Sequence, residues 1–203
     1  MDEDTLHKYG FESLKEFQSF CYTDYCFKTL IENAKQQSWF NNTIFVFIGD
    51  HGVEGETSAI YPKVWNKGSL SDEHVPLLFY APELLTPQVR NEAVSQIDVL
   101  PTIAGMVHQP YTNTTLGRDL LNTKDKMDAA FIIHHDEGKI GMVTNDHYFV
   151  KNMQINKEEL MPMHYDTLSI NNSQRDSIKN KLSQLTSAIY ETAKWMLVNN
   201  KDK

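Results

Sequence analysis

The strongest constraint on the fold is an apolar run at residues 43–49, Thr-Ile-Phe-Val-Phe-Ile-Gly, which ends abruptly at Asp50-His51-Gly52. The run has the length of a strand, and β-branched and aromatic residues dominate it. Apolar side chains at nearly every position are typical of a strand that is covered on both faces, as in a parallel sheet between helices. Because ligands in open α/β sheets bind beyond the carboxyl ends of strands, we predict that Asp50 and His51 face a ligand there.

The two side chains that follow this strand are suited to a metal ion. Asp50 offers a hard carboxylate oxygen and His51 a borderline imidazole nitrogen, a combination that fits Zn²⁺ or Mn²⁺. Mg²⁺ or Ca²⁺ would also accept the carboxylate. Gly52 permits the sharp backbone bend that lets neighbouring side chains point to one ion. The alternative is a plain turn, since a strand that ends in Asp-His-Gly needs no metal.

The remaining patterns alternate between helices and strands, which indicates an α/β fold. Helical periodicity is found at residues 11–40 and again from about Ser173, where Asp176 completes a capping-box pattern. Asp98 is positioned to cap a further helix. Strands are predicted at residues 75–80, 129–133, 139–144 and 147–151, the last two forming a hairpin about Asn145-Asp146.

Composition sets further limits on the fold and the partners. The chain has 203 residues and a formal net charge of −8, which fits one domain and disfavours nucleic acid as a partner. No apolar run approaches the roughly 20 residues that cross a bilayer, and the acidic start at residues 1–4 does not resemble a signal peptide. Cys21 and Cys26 lack a CxxC partner, so we expect two buried or half-buried thiols on the first long helix rather than a zinc site.

Four stretches, in order along the chain, resemble the alkaline phosphatase superfamily and, within it, the sulfatase family. They are Tyr22-Thr23-Asp24-Tyr25, residues 39–52 from Trp39 to Gly52, residues 74–82 from His74 to Pro82, and the paired motifs at residues 95–103 and 116–121. The pattern is most similar to lipoteichoic acid synthase-like, phosphoglycerol transferase-like members. The resemblance covers residues 10–150, and we assign residues 151–203 as a C-terminal subregion of the same single domain, residues 1–203.

This resemblance implies an α/β/α sandwich that is incomplete at the N-terminus and carries a small C-terminal antiparallel sheet and a terminal helix. It also implies that Asp50 and His51 are half of a metal site. In the family, a further acidic ligand and a nucleophilic Thr, Ser or formylglycine lie upstream, and no stretch before Asp50 matches them. We therefore interpret the chain as the C-terminal portion of a longer catalytic domain, inactive by itself.

The resemblance leaves two hypotheses for the function. The first is part of a metal-dependent enzyme that transfers or hydrolyses phosphate or sulfate esters, lipid-linked ones included, through a covalent intermediate. The similar membrane enzymes work on the extracytoplasmic face of the cytoplasmic membrane, where N-terminal helices anchor them, and no such helix is found in this sequence. The alternative is a catalytically silent, truncated remnant or a binding module.

Three further groups are weaker site candidates. His74 precedes the second predicted strand, where a histidine could hold a second metal or the substrate phosphate, and a backbone contact is the alternative. Lys63 lies in the loop after the metal turn and could meet a phosphate group, whereas a solvated loop is the alternative. The cluster His134-His135-Asp136-Glu137 has a metal-like composition, but consecutive strand residues alternate faces, so we interpret it as structural or surface.

Overall fold

The computed structural model describes residues 3–9, 11–53, 55, 57, 60–122 and 128–199. Chain contacts divide the protein into two compact units, Met1–Gln88 and Val89–Lys203. Each unit contains helices and a sheet, which confirms the α/β prediction. The assignment of residues 1–203 to one domain stays a prediction. No helix in the described ranges is long and apolar enough to cross a membrane.

The first unit is built around one long helix and a short sheet. Its elements are α1 (Glu3–Lys8), α2 (Leu14–Ala34), a 3-10 turn (Phe40–Asn42), β1 (Phe45–Ile48), α3 (Val64–Lys67), α4 (Leu70–Glu73) and β2 (Leu77–Tyr80). Helix α2 begins after Ser13, whose side chain accepts a hydrogen bond from the Glu16 backbone N–H at 3.2 Å. This N-cap gives an acceptor to one of the backbone N–H groups that have no partner within the helix at its start.

Strands β1 and β2 pair antiparallel, with Phe45 opposite Tyr80 and Ile48 opposite Leu77. The parallel pairing suggested by the apolar run is therefore wrong for this pair. The apolar composition of a strand does not determine its direction, which depends on how the chain returns to the sheet. Burial on both faces is also not observed, because Ile48 is 40% exposed and Leu78 is 54% exposed.

Aromatic rings hold the first unit together. Phe47 of β1 meets Phe27 of α2 edge-to-face, with centroids 4.9 Å apart. Phe45 packs 5.7 Å from Phe40 and 6.1 Å from Tyr80. Ring pairs of this geometry add about 0.5–1.5 kcal/mol each beyond the area they bury. These contacts fix β1, and with it the turn that follows, against the helix.

Helix α2 is exposed over most of its length, and Ala34 is its one buried residue. Cys21 and Cys26 are both exposed, so the prediction of buried or half-buried thiols is wrong. Helical periodicity correctly predicted the helix. The apolar positions that define this periodicity include Leu14, Phe27 and Leu30, and all three are exposed.

The second unit combines a four-stranded sheet with a terminal helix. Its elements are a 3-10 turn (Gln96–Asp98), α5 (Val99–Met106), β3 (Ala129–His134), β4 (Lys139–Thr144), β5 (His147–Asn152), β6 (Lys157–Pro162) and α6 (Asn172–Asn199). All neighbouring strands are antiparallel in the order β3-β4-β5-β6. The predicted hairpin about Asn145-Asp146 is confirmed. Strand β6 was not predicted, because its charged residues mask the strand pattern.

The core of this unit lies between the sheet and α6. Met142, Phe149, Leu160 and Leu182 are buried there, and Ile178, Leu185 and Ile189 of α6 pack against them. The apolar stripe predicted for the last helix is thus its docking face. The predicted capping box at Ser173 and Asp176 is wrong by two residues.

Asn171 and Gln174 cap the start of α6 in place of that predicted pair. The Gln174 backbone N–H donates to Asn171 Oδ1 at 2.9 Å, and the Asn171 backbone N–H donates to Gln174 Oε1 at 3.2 Å. Reciprocal hydrogen bonds of this kind give acceptors to backbone N–H groups that have no partner at the start of a helix.

A buried ion pair joins the start of α5 to the loop that follows it. Arg118 Nε lies 3.4 Å from Asp98 Oδ2, and Arg118 Nη1 donates to Asp128 Oδ1 at 2.9 Å. Asp98 also accepts a hydrogen bond from the Ser95 backbone N–H at 2.9 Å, as the third residue of a capping box that Ser95 begins. Its side chain makes no cap bond to α5, so its predicted role as the cap of that helix is wrong. A buried arginine is tolerated here because its donors are paired.

Candidate functional site

The Asp50-His51-Gly52 turn leaves the end of β1 and is tied to the segment that leads into β2. The Gly49 backbone N–H donates to the Pro76 carbonyl at 3.3 Å. The Gly52 backbone N–H donates to the Asp72 carbonyl at 2.6 Å. These two bonds bracket Asp50 and His51, so the backbone that carries the two side chains is fixed at both ends.

Glycine at position 52 is required by a close approach between backbone segments. A Cβ there would overlap the Ser71 carbonyl oxygen, and it would lie 2.9 Å from the Ser71 carbonyl carbon and 3.0 Å from the His74 carbonyl oxygen. Carbonyl groups of this kind cannot turn aside as a flexible side chain could. Gly52 was predicted to allow a bend, and in the structure it also allows close contact with residues 71–74.

Asp50 and His51 point into solvent and can both reach one ion. Their side chains are 90% and 78% exposed, and His51 Nε2 lies 3.7 Å from Asp50 Oδ2. His51 Nδ1 lies 2.8 Å from the Gly52 carbonyl oxygen. A proton on Nδ1 would satisfy this contact and leave the lone pair of Nε2 for a metal, which is how a hydrogen-bonded carbonyl orients a ligating histidine.

The surroundings of the two side chains lower the pKa of Asp50 and raise the pKa of His51. The pKa of Asp50 is lowered, chiefly because its carboxylate accepts the His51 backbone N–H, with the charge of His51 as a smaller cause. The pKa of His51 is raised by its hydrogen bond to the Gly52 carbonyl, by the charge of Asp50 and, less, by that of Asp72. The Asp50 side chain is therefore an anionic carboxylate at neutral pH.

Asp72 contacts the turn through its carbonyl oxygen, which accepts the Gly52 backbone N–H, and it was not among the predicted site residues. Its Oδ1 atom is buried and has no hydrogen-bond partner among the described residues. Buried polar atoms usually have a hydrogen-bond partner, so the Oδ1 atom of Asp72 is an exception that could accept a hydrogen bond or bind a cation. In sequence it is one acidic residue in a polar stretch, and no local pattern sets it apart.

The metal-ligating atoms of Asp50 and His51 suit a divalent cation but do not complete its coordination shell. A carboxylate oxygen and an imidazole nitrogen suit Zn²⁺ or Mn²⁺, which take four or more ligands. Within the described ranges, no group of three or more His, Cys, Asp or Glu side chains is close enough to hold a metal. Asp50 and His51 can thus supply two ligands, and the others would have to come from elsewhere.

His74, one of the two weaker candidates, lies near the turn, and Lys63, the other, lies in the segment that leads into α3. His74 is the C-cap residue of α4, and its ring meets Trp65 edge-to-face with centroids 5.1 Å apart. Trp65 stacks on Tyr61 at 4.2 Å. Lys63 is the residue before α3 and is exposed. A substrate role for His74 or Lys63 stays a prediction.

The His134–Glu137 cluster has contacts of a different kind. His134 Nε2 lies 3.1 Å from the hydroxyl of Tyr148, a fully buried residue. Glu137 pairs with Lys139 across the start of β4. These contacts agree with the interpretation of the cluster as structural.

The segment that holds this site has a family match. Residues 15–109 match the protein-family model Sulfatase. The matched segment contains Asp50, His51, Lys63 and His74. The match agrees with the predicted sulfatase family at this level, whereas the lipoteichoic acid synthase-like subtype stays a prediction.

Solved structures of sulfatases are similar in fold. A protein from Bacteroides thetaiotaomicron that is assigned as a sulfatase matches 82% of this chain with a TM-score of 0.55 and 16% identity. A 2-O GAG sulfatase matches 86% of it with a TM-score of 0.50 and 14% identity. A third structure, in complex with its substrate D-glucosamine-2-N,6-O-disulfate, matches 87% with a TM-score of 0.50 and 15% identity.

These likenesses concern the fold alone, because the identities are low. They agree with the alkaline-phosphatase-like α/β architecture predicted from the sequence. The chain spans 40% of the length of the first two of these structures and 39% of the third.

Proposed function

We propose that this chain contributes the Asp50–His51 part of a divalent-metal site to a sulfatase-type centre that cleaves or transfers an ester. The observation that carries the proposal is the position of the pair. A carboxylate and an imidazole leave the end of β1 side by side, 3.7 Å apart, within the segment that matches Sulfatase. The remaining ligands and the nucleophile would come from residues outside these 203.

The chain's own residues would have distinct tasks in such a centre. Asp50 would bind the cation as a carboxylate, which its lowered pKa favours. His51 would bind through Nε2 while Nδ1 stays on the Gly52 carbonyl. The bound metal would lower the pKa of a nucleophile and stabilise negative charge on the non-bridging oxygens of the ester. Lys63 and His74 would face the ester's charged group.

The substrate class we propose is a sulfated sugar. Two of the similar structures are a 2-O GAG sulfatase and a protein in complex with a sulfated glucosamine. The sequence resemblance also favours a second candidate, a phosphoglycerol transferase-like enzyme that acts on lipid-linked phosphate esters outside the cytoplasmic membrane. Both would use the same metal pair, since phosphate and sulfate esters place similar charge on their oxygens.

Metal binding can be tested on the chain by calorimetric titration with Mn²⁺ and Zn²⁺. We expect saturable binding that is lost in Asp50→Ala and in His51→Ala. Asp136→Ala removes an exposed acidic residue from the second unit and serves as the matched control, which should bind as the wild type does. Equal binding by wild type and Asp50→Ala would exclude the proposed site.

The same titration has an expected pH dependence. A proton on His51 competes with the metal, and the pKa of His51 is raised above its ordinary value of 6.5. Binding should therefore weaken as the pH falls through a value above 6.5. We expect no turnover of 4-nitrophenyl sulfate by the chain alone. Clear turnover that Asp50→Ala abolishes would contradict the view that the nucleophile lies elsewhere.

A further inference from the structure

Asp72 is an acidic residue whose backbone lies against the turn that carries Asp50 and His51. Its carbonyl oxygen accepts the Gly52 backbone N–H at 2.6 Å. A Cβ at Gly52 would overlap the carbonyl oxygen of Ser71, the residue before Asp72. The backbone of residues 71 and 72 is therefore fixed close to the two proposed ligands. The metal chemistry proposed above gives the Asp72 side chain no task.

One oxygen of the Asp72 carboxylate is withdrawn from water. Its Oδ1 atom is buried and has no hydrogen-bond partner among the described residues, although the residue as a whole is half-buried. The charge on this atom is therefore compensated neither by bulk water nor by a donor in the described part of the chain. Partly buried charges are screened less than exposed ones, so this carboxylate acts strongly on charged groups nearby.

The charge of Asp72 reaches the imidazole of His51. The pKa of His51 is raised by its hydrogen bond to the Gly52 carbonyl, then by the charge of Asp50 and, less, by that of Asp72. The same field would act on a cation bound to Nε2 of His51. It would act about twice as strongly on a divalent ion as on a proton, because the interaction energy scales with the charge.

The arrangement does not make Asp72 a third ligand. Within the described ranges, no group of three or more His, Cys, Asp or Glu side chains is close enough to hold a metal. The charges of this part of the chain nevertheless suit a divalent ion, since Asp50 supplies one negative charge by ligation and Asp72 supplies a second from nearby.

A purely structural role explains the Asp72 side chain poorly. A buried carboxylate oxygen without a partner is unfavourable for the metal-free fold. A residue that served the fold alone would be apolar or would have a hydrogen-bond partner for this atom. Departures of this kind are typical of functional sites, where a bound ligand offsets the unfavourable term.

We propose that Asp72 is a positioning residue of the cation site: its charge raises the affinity of Asp50 and His51 for a divalent ion without ligating that ion. This inference rests on the proposed function for the place of the ion. It makes the affinity of the turn depend on α4, which carries Asp72, as well as on β1.

Calorimetric titration of the 203-residue chain with Mn²⁺ tests the role of this charge. We expect Asp72→Asn to bind Mn²⁺ saturably but about threefold to tenfold more weakly than the wild type, because both ligands remain and only a nearby charge is lost. Asp72→Glu keeps the charge and should stay within about twofold of the wild type. Glu73→Gln removes the same charge from the next, exposed residue and should also stay within about twofold.

Urea unfolding of the metal-free proteins separates charge from structure. The midpoint of Asp72→Asn should equal or exceed that of the wild type, because the substitution removes a buried charge. A lower midpoint together with weaker Mn²⁺ binding would mean a structural role and would overturn the inference.

Three further outcomes of the titration would also overturn the role of Asp72. They are an unchanged Mn²⁺ affinity in Asp72→Asn, an equal loss in Glu73→Gln, and a loss in Asp72→Glu as large as that in Asp72→Asn. Each of them leaves the proposed Asp50–His51 site standing. Absence of saturable binding by the wild type would instead remove that site and this inference with it, so the two failures are distinguishable.

Discussion

At the scale of single residues, the candidate site depends on where backbone segments can touch. The carbonyl groups of Ser71 and His74 lie so close to Gly52 that no room is left for a methyl group on its Cα. The chemistry of Asp50 and His51 could be predicted from their residue types. The contact that positions them could not, because it joins segments about 20 residues apart in sequence, and it forms only when β1 and β2 pair.

Substituting Gly52 tests this contact directly. In Gly52→Ala, the added Cβ must push Ser71 aside or displace the turn, and overpacking of this kind costs roughly 1–3 kcal/mol. We expect a lower urea midpoint and weaker Mn²⁺ binding. Gly55→Ala is the matched control, since a Cβ at Gly55 meets nothing within 4 Å. If both variants behaved as the wild type, the turn would not be held as described.

At the scale of elements, the second unit shows which helices and strands can be predicted from local sequence patterns without tertiary information. The hairpin β4–β5 and the stripe on α6 were predicted from local periodicity alone. The cap of α6 was misplaced because Ser, Asn and Asp side chains all have cap propensity, and three-dimensional context selects among them. Strand β6 was missed because Glu158 and Glu159 look like surface residues until their partners are known.

Glu158 connects β6 to α6 and to β5. It accepts the Ser183 hydroxyl at 2.7 Å and lies 3.6 Å from both Lys151 and Lys179. The hydrogen bond from Ser183 is the main cause of its lowered pKa, and the two lysines add to it. A lowered pKa means that the folded state favours the carboxylate. This stabilisation is present above the unfolded pKa and is lost as the pH falls through the folded one.

Replacing Glu158 should therefore matter at neutral pH and not in acid. We expect Glu158→Gln to lower the free energy of unfolding by about 1 kcal/mol at pH 7, with the difference shrinking as the pH falls below 4.5. Urea unfolding at several pH values measures this. Glu191→Gln removes an exposed pair with Lys194 on α6 and should have little effect at any pH. A pH-independent loss in Glu158→Gln would indicate packing rather than charge.

At the scale of the whole molecule, the two units differ in how well they cover their own apolar surfaces. The second buries a core between its sheet and α6. The first leaves large side chains of α2 in solvent. Those with the greatest exposure are Phe20, Tyr22, Tyr25, Phe27, Leu14 and Leu30. Exposed apolar surface on this scale is typical of an interface. The chain also spans 40% of the similar sulfatase structures, so we propose that further parts of such a domain cover α2.

Self-association of the isolated chain follows from the same surface. Light scattering should find oligomers or aggregates of the wild-type chain at micromolar concentration. Tyr22 and Tyr25 lie one helical turn apart and are 68% and 61% exposed, so Tyr22→Glu with Tyr25→Glu should shift the chain toward monomer. Leu197→Glu on α6, where Leu197 is 76% exposed, is the control. A clean wild-type monomer would argue that α2 needs no cover.

The sequence by itself determined the features that depend on local chemistry. It determined that β1 is an apolar strand ending in a carboxylate and an imidazole, that α2 and α6 are helices, and that a hairpin turns at Asn145-Asp146. These follow from side-chain period, turn propensity and ligand type, all of which are readable within a few residues.

Only the tertiary structure decided how distant segments meet. It made β1 and β2 antiparallel, joined Asp72 to the Asp50-His51-Gly52 turn, and stacked Tyr61 on Trp65 beside His74. It also left α2 exposed, although buried or half-buried thiols had been predicted on this helix. The physical reason is the same in each case: strand direction, close backbone approach and burial are properties of pairs of segments, and no single segment carries them.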